Sequence, residues 1–447
     1  MSPGNRRSRR RAGVARSSTL TVALALASAV ALAVTPAAKA GWGPRFQFAA
    51  PGSLDTIPAQ LGFSTAGAAA AAFGVANIDN PGQSQALVTL RSSSGAVGAP
   101  LPVPGAQQVL GLGFDGSSVE LLTGSSPAGL TCCSAAQATQ LTSQGRFMRA
   151  RTLVSGLVGT SLGQLVTLAG GRMMAAISSG NGVWAVQSVK GNHFAATHRL
   201  TAPADLPESL AATSLGGDNS IVAWTAAPAV RALARSIVIA TGSKLSGPHR
   251  ARSALTVPAG HRIDELGLAP DASTPTVAWI ESWFDRRGGF HSAARVADLT
   301  ARPLVRTLSS ANQVASGLAL AADGAGDQAA AWKVCASNGS CTLNVALRRA
   351  GASFGAPASL GRIDASQIPV LAVGHSGEVL LGWVRLGHPV VAASSPRSAR
   401  FGPARVLSPT VYAADLTLAF GPAREAIAAW TQGTLAPSVV ADAYLGP

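Results

Sequence analysis

Charged and aromatic side chains are both scarce in this 447-residue chain: Asp, Glu, Lys and Arg make up 12% of it, Phe, Trp and Tyr 5%, and tyrosine occurs only at 412 and 444. Beyond residues 1–40 no clustered stripe of Lys and Arg is present, which argues against nucleic acid as a partner. Histidine gives no metal cluster, because His193 and His198 lie five apart and so fall on opposite faces of an extended strand. The G-x-S-x-G pattern occurs around Ser161 and Ser353, but neither segment opens a helix, as a nucleophile elbow requires. No Gly-rich phosphate loop precedes a helix either, and no cofactor is expected.

What the chain does have is a ruler of tryptophans. Trp224, Trp279, Trp332, Trp383 and Trp430 stand 55, 53, 51 and 47 residues apart, each preceded by Ala or Gly. A period of roughly 50 matches one blade of a propeller. A turn residue six positions earlier extends the series: Gly326 and Gly377 precede Trp332 and Trp383, while Gly67, Gly116 and Gly171 precede Phe73, Leu122 and Ile177. Asp218 and Ser273 fill the same offset before Trp224 and Trp279. Eight units result, with seven as the alternative should one weak early copy be miscounted.

The best-formed unit, Ser316 to Leu360, parses into strands over Leu318–Ala322, Gln328–Val334, Thr342–Arg348 and Phe354–Leu360. Strands this short bury a core only when four-stranded sheets stack around an axis. The last unit has room for a third strand over Ser438–Tyr444 and no fourth. A copy of the missing strand stands at the other end, where Phe48–Leu54 matches Phe354–Leu360 at five of seven positions. The expectation is an all-β chain: one propeller of about eight four-stranded blades, with an N-terminal strand closing the last blade. The small-Trp motif and the Phe-Gly openings at Phe354 and Phe401 resemble secreted bacterial β-propellers of the sialidase-like and related superfolds, without their Asp boxes. The resemblance implies the architecture.

Residues 1–40 read as a signal peptide: Arg6, Arg7, Arg9, Arg10, Arg11 and Arg16 precede the apolar stretch Leu20–Val34, then Ala38-Lys39-Ala40. That stretch is shorter than the roughly 20 residues of a membrane span, so no stable span remains after cleavage, and a secreted or extracytoplasmic location is expected. The propeller then occupies 41–447. The leader holds seven of the 35 Lys and Arg and none of the 20 Asp and Glu, which leaves a mature net charge of +8. Ser8-Arg9-Arg10 also admits a twin-arginine route.

Cys335 and Cys341 flank Asn338 in the turn between two strands, positions that suit a disulfide. Adjacent Cys132 and Cys133 leave a vicinal disulfide, free thiols and an intermolecular link all open.

Propellers bind through the loops that enter and leave their inner strands. The richest such loop is Trp283-Phe284-Asp285-Arg286-Arg287-Gly288-Gly289-Phe290-His291, whose aromatics suit stacking on a sugar or apolar group while the arginines hold a carboxylate or phosphate. The reading is a monomeric, non-catalytic protein that binds an extracellular protein or envelope glycan through Trp283, Phe284, Asp285, Arg286 and Arg287. The alternative is a carbohydrate-active hydrolase or lyase using Asp264 and Asp415, each 15 residues before its Trp, with Glu265, Glu208 and Asp364 nearby. No metal site is expected: Asp323-Gly324-Ala325-Gly326-Asp327 reads as a turn.

Overall fold

The computed structural model describes residues 41–445 apart from 50–54, 77–83, 128–131, 160, 191–192, 202–205, 228–232, 244–250, 272–273, 311–312, 395–399, 409–411 and 434–437. The proposed leader, Ser273 and the second half of the expected closing strand lie outside the described residues.

Short strands bounded by turns pair antiparallel into eight successive sheets. The innermost strands are Asp55–Phe63, Gln108–Asp115, Leu162–Thr167, Leu206–Ser214, His261–Ala269, Val314–Ala322, Val370–Val373 and Ala413–Phe420, and they define blades 1 to 8. Each packs beside the next, and the eighth packs beside the first. Blades 5 and 6 are additionally joined by a single parallel bridge, Ser292↔Val314.

The ring is closed by the N-terminus. Phe46–Ala49 pairs with Ser438–Leu445 as the outer strand of blade 8, in the register Phe46↔Ala441 and Gln47↔Val440, and Gly41–Trp42 pairs farther along the same strand. The closing strand therefore begins two residues before the expected Phe48–Leu54. Phe48 is buried in the core between blades 8 and 1, and the Thr89 hydroxyl donates to its carbonyl at 2.7 Å. In blade 6 the strands are Val314–Ala322, Gln328–Cys335, Cys341–Arg348 and Ala358–Ile363. The fourth starts at Ala358, after Pro357, because Phe354 turns inward to the core shared with blade 5 and lies 5.9 Å from the Arg348 guanidinium.

Eight apolar cores fill the ring, one between each pair of adjacent blades. The five repeat tryptophans are all fully buried, each filling the core toward the preceding blade. Phe73 and Ile177 do the same in blades 1 and 3. Leu122 does not. It faces blade 3, and Leu121 takes the tryptophan place against blade 1. The hairpin before it has only Gly116 and Ser117 between the paired residues Asp115 and Ser118, whereas blade 6 has five residues between Ala322 and Gln328. The shorter loop slips the register by one, and a one-residue slip turns a strand's side chains to the opposite face.

Sheets at this spacing need small residues wherever backbones approach. A side chain at Gly421 would meet the Phe63 ring at 2.8 Å across the 8–1 junction, so that glycine lets the ring close. The alanines of Ala69–Ala76, Gln328–Cys335 and Glu425–Gln432 fill the remaining thin space beside the bulky Trp or Phe.

Cys335 and Cys341 are bridged across their hairpin, with Cα atoms 4.0 Å apart and the two residues paired in register. Cys132 and Cys133 are bridged to each other. Among the described residues no helix is long and apolar enough to cross a membrane.

Candidate functional site on the strand-entry face

The up-and-down order of the strands gives the ring two unlike faces. One carries the loops that enter each innermost strand and the hairpins between second and third strands; this is the entry face. The other carries the hairpins between first and second strands and is the exit face.

Ion pairs between blades concentrate at the exit face. Arg91 of blade 1 meets Glu425 of blade 8 at 2.7 Å, Arg172 of blade 3 pairs with Asp218 of blade 4, and Arg348 of blade 6 pairs with Asp298 of blade 5 at 2.5 Å. Asp327, held at 2.9 Å by Arg349, belongs to the same rim. Exposed apolar side chains are distributed the other way. Of the 12 large ones among the described residues, eight lie on the entry face: Val158, Leu162, Leu233, Phe284, Phe290, Ile368, Leu386 and Tyr412. The exit side has Met148, Val189, Leu304 and Val305.

The hairpin Trp283–His291 projects from blade 5 on the entry face, where the sequence placed its binding loop. Its second and third strands pair through Trp283↔His291 and Phe284↔Phe290, and His261 of the first strand pairs with Trp283. The indole is thereby sandwiched between two imidazoles, 5.0 Å from His261 and 5.7 Å from His291, with interplanar angles of 8° and 20°. Both faces of Trp283 are occupied, so it does not offer the stacking platform expected of it. His261 Nδ1 lies 2.6 Å from the buried Glu281, and the Arg295 guanidinium reaches the same carboxylate at 3.4 Å.

Asp285 is tied into the turn. Its Oδ1 accepts the Arg287 and Gly289 amides at 2.8 Å each, and its Oδ2 lies 3.0 Å from His291 Nε2. The hydrogen bond from His291, with the two amides, holds its carboxyl below the usual aspartate range. The tip therefore presents Phe284 and Phe290, edge to face at 5.4 Å, with Arg286 and Arg287, whose guanidinium groups have no ion-pair partner among the described residues. Beside it runs a cleft of about 260 Å³ lined by Leu233, Arg262, Asp264, Ser282, Phe284 and Phe290.

The channel carboxylates have separate fates. Asp264 sits at a β-bulge beside Ile263, paired with Arg262 and accepting the Ser282 hydroxyl at 2.5 Å. Glu265 accepts the amides of Gly317 and Leu318 at 2.8 and 2.5 Å, tying blade 5 to the bulge of blade 6. Asp364 accepts the Leu386 and Gly387 amides at 2.7 and 2.8 Å and so braces the blade 7 hairpin. Glu208 is exposed at the bulge of blade 4. Asp415 lies in the bulge of blade 8 with φ 52°, and burial raises its pKa. Asp264 and Asp415 stand three blades apart. With facing sheets separated by about 10 Å, their backbones in an eight-membered ring are roughly 24 Å apart.

Asp323 is a turn residue: its Oδ1 accepts the amides of Ala325 and Asp327 at 2.9 Å each. His193 and His198 lie on two separate short strands along the third strand of blade 3. Two residues that sequence reasoning passed over are set by packing between blades. Lys333, its pKa lowered by burial, donates to the carbonyl of Gln367 at 2.9 Å and pins the entry to blade 7. Glu120, buried between blades 2 and 3, has its pKa pushed up to about 8 by desolvation and by Asp115, with Gln140 offsetting part of the rise. Neither carries a motif, since each depends on which blade packs against it.

No family model and no curated protein matches the chain. Among solved structures, the Dos1 propeller aligns over 91% of this chain and 95% of its own, at 11% identity and a TM-score of 0.53. A Dyadobacter fermentans protein of unknown function aligns over 91% and 99%, at 10% identity and a TM-score of 0.45. A polysaccharide lyase aligns over 86% and 90%, at 8% identity and a TM-score of 0.45. The first of these likenesses, together with the closed ring of sheets, shows a β-propeller; at such identity it shows the fold alone.

Proposed function

We propose that this chain is an exported, non-catalytic propeller that binds an extracellular or cell-envelope component through its entry face. The observation that carries the reading is the unequal distribution of apolar surface. Among the described residues, eight of 12 exposed large apolar side chains lie on the entry face, while inter-blade ion pairs concentrate on the other. Contiguous exposed apolar surface marks interaction sites, and arginine and aromatic residues are enriched in binding hot spots, a description that fits the Phe284–Phe290 tip with Arg286 and Arg287. Among the channel carboxylates, Asp264, Glu265 and Asp364 are engaged by side chains or backbone amides, which supports a scaffolding role for them.

A second reading, a carbohydrate-active hydrolase or lyase, is favoured by Asp415, a half-buried carboxylate at a positive-φ bulge with its pKa raised. Two-carboxylate hydrolysis needs its groups about 5–10 Å apart. A backbone separation of roughly 24 Å between Asp264 and Asp415 does not favour it.

The test is capture of glycans and envelope fractions by the purified mature protein. Saturable capture that is lost in Phe284→Ala/Phe290→Ala is the expected result. Glycan cleavage abolished by Asp415→Asn would replace this reading with the enzymatic one.

A further inference from the structure

The apolar side chains of the entry face do not gather in one groove. They stand at three places around the ring: Val158 and Leu162 beside blades 2 and 3, Leu233 with the Phe284–Phe290 tip at blades 4 and 5, and Ile368, Leu386 and Tyr412 at the loops of blades 7 and 8. Leu386 is 78% and Phe284 69% exposed, both at or beside hairpin turns. A peptide or a small ligand engages one such place. Only a broad, flat partner meets all three at once.

Charge narrows the chemistry of that partner. The blade 5 tip places Arg286 and Arg287 between its two phenylalanines, while the one acidic residue of the turn, Asp285, is directed back onto its own amides and His291. Aromatic rings flanked by unpaired arginines match the boundary of an anionic bilayer, where rings enter at headgroup depth and guanidinium groups meet phosphates. The turn is pre-ordered for this by the hydrogen bonds of Asp285 to Gly289 and of Gly288 to Asp285, at 2.9 and 3.0 Å, so docking orders little further backbone. The exit face also exposes Leu304 and Val305 between Arg302 and Arg306, but among the described residues it exposes no large aromatic ring, and Arg91 and Arg348 there are paired with carboxylates of neighbouring blades.

We infer that the entry face docks flat on an anionic phospholipid membrane surface, with Phe284 and Phe290 entering the headgroup region and Arg286 and Arg287 contacting lipid phosphates. The inference rests on the reading of the entry face as the binding face, and names what it binds.

The experiment is co-sedimentation of the purified mature protein with vesicles of phosphatidylglycerol and phosphatidylcholine, compared with phosphatidylcholine alone, at low and high salt. Binding to the anionic vesicles should be at least about tenfold tighter and should weaken with salt. Phe284→Ser/Phe290→Ser should reduce it about tenfold, and Arg286→Glu/Arg287→Glu should abolish the preference for anionic lipid. Leu304→Ser, on the exit side, should leave binding unchanged. Absence of binding to anionic vesicles overturns the inference, as does binding that survives both double variants. A protein that ignores vesicles yet captures a glycan or envelope protein refutes the membrane partner while the binding reading stands; one that captures nothing in either assay refutes both.

Discussion

Arg91 of the first blade grips Glu425 of the last at 2.7 Å across a sequence separation of 334 residues, and its guanidinium also lies 5.2 Å from the Phe46 ring of the closing strand. Both contacts join blade 1 to blade 8, so this arginine latches the ring. Its side chain is 11% exposed and that of Glu425 17%, where an ion pair is only weakly screened. Arg91→Ala should destabilise the protein by about 2–3 kcal/mol, read by chemical denaturation. A double-mutant cycle with Glu425→Gln should show coupling, and additivity of the two would refute the latch.

Glu120 predicts a pH dependence of stability. Its carboxyl rises from the ordinary 4.5 to about 8 in the folded chain. Folding therefore favours the protonated form. The corresponding stability is complete below about pH 4.5 and is lost as the pH climbs toward 8. Glu120→Gln removes the dependence. Its melting temperature should exceed that of the parent at pH 7.5, by the equivalent of a few kcal/mol, and the gap should close at pH 4. A gap that persists unchanged at pH 4 would mean that packing, not protonation, sets it.

Trp283 and Phe284 are adjacent and should respond differently. The indole is held between two imidazoles above the buried Glu281, so Trp283→Ala should lower the melting temperature by several degrees. Phe284 faces solvent, and Phe284→Ala should leave melting within about a degree while weakening capture of the ligand. Equal melting of the two variants would contradict the stacked arrangement.

The Cys335–Cys341 bridge should be oxidised in exported material, as non-reducing peptide mapping would show. Serine at both positions should cost about 2 kcal/mol, the chain-entropy value for so short a loop, without unfolding the ring. Recovery of both as free thiols after prompt alkylation would exclude the bridge.

Much of the fold was legible because a propeller repeats local chemistry. The tryptophan spacing and the turn glycines recur once per blade, and blade order follows chain order. The register of blade 2 was not legible. The two-residue hairpin at Gly116 and Ser117 keeps the same Gly-to-apolar offset while turning Leu122 to the opposite face. Of the candidate site, the position of the hairpin from Trp283 to Phe290 on the entry face was legible from strand order, but the packing of its tryptophan was not, since cross-strand register alone brings His261 and His291 to its two faces.

The sequence by itself determined the all-β class, the blade period, the closing strand and the Cys335–Cys341 pair, because these follow from residues near one another in the chain or from copies of one motif. Tertiary structure alone decided that Glu265 and Asp364 brace neighbouring backbone, that Glu120 is desolvated, and that most of the exposed large apolar side chains described lie on the face opposite the inter-blade ion pairs. Burial and electrostatics depend on what stands a few ångströms away in space, and in a ring those neighbours come from the next blade, some 50 residues distant.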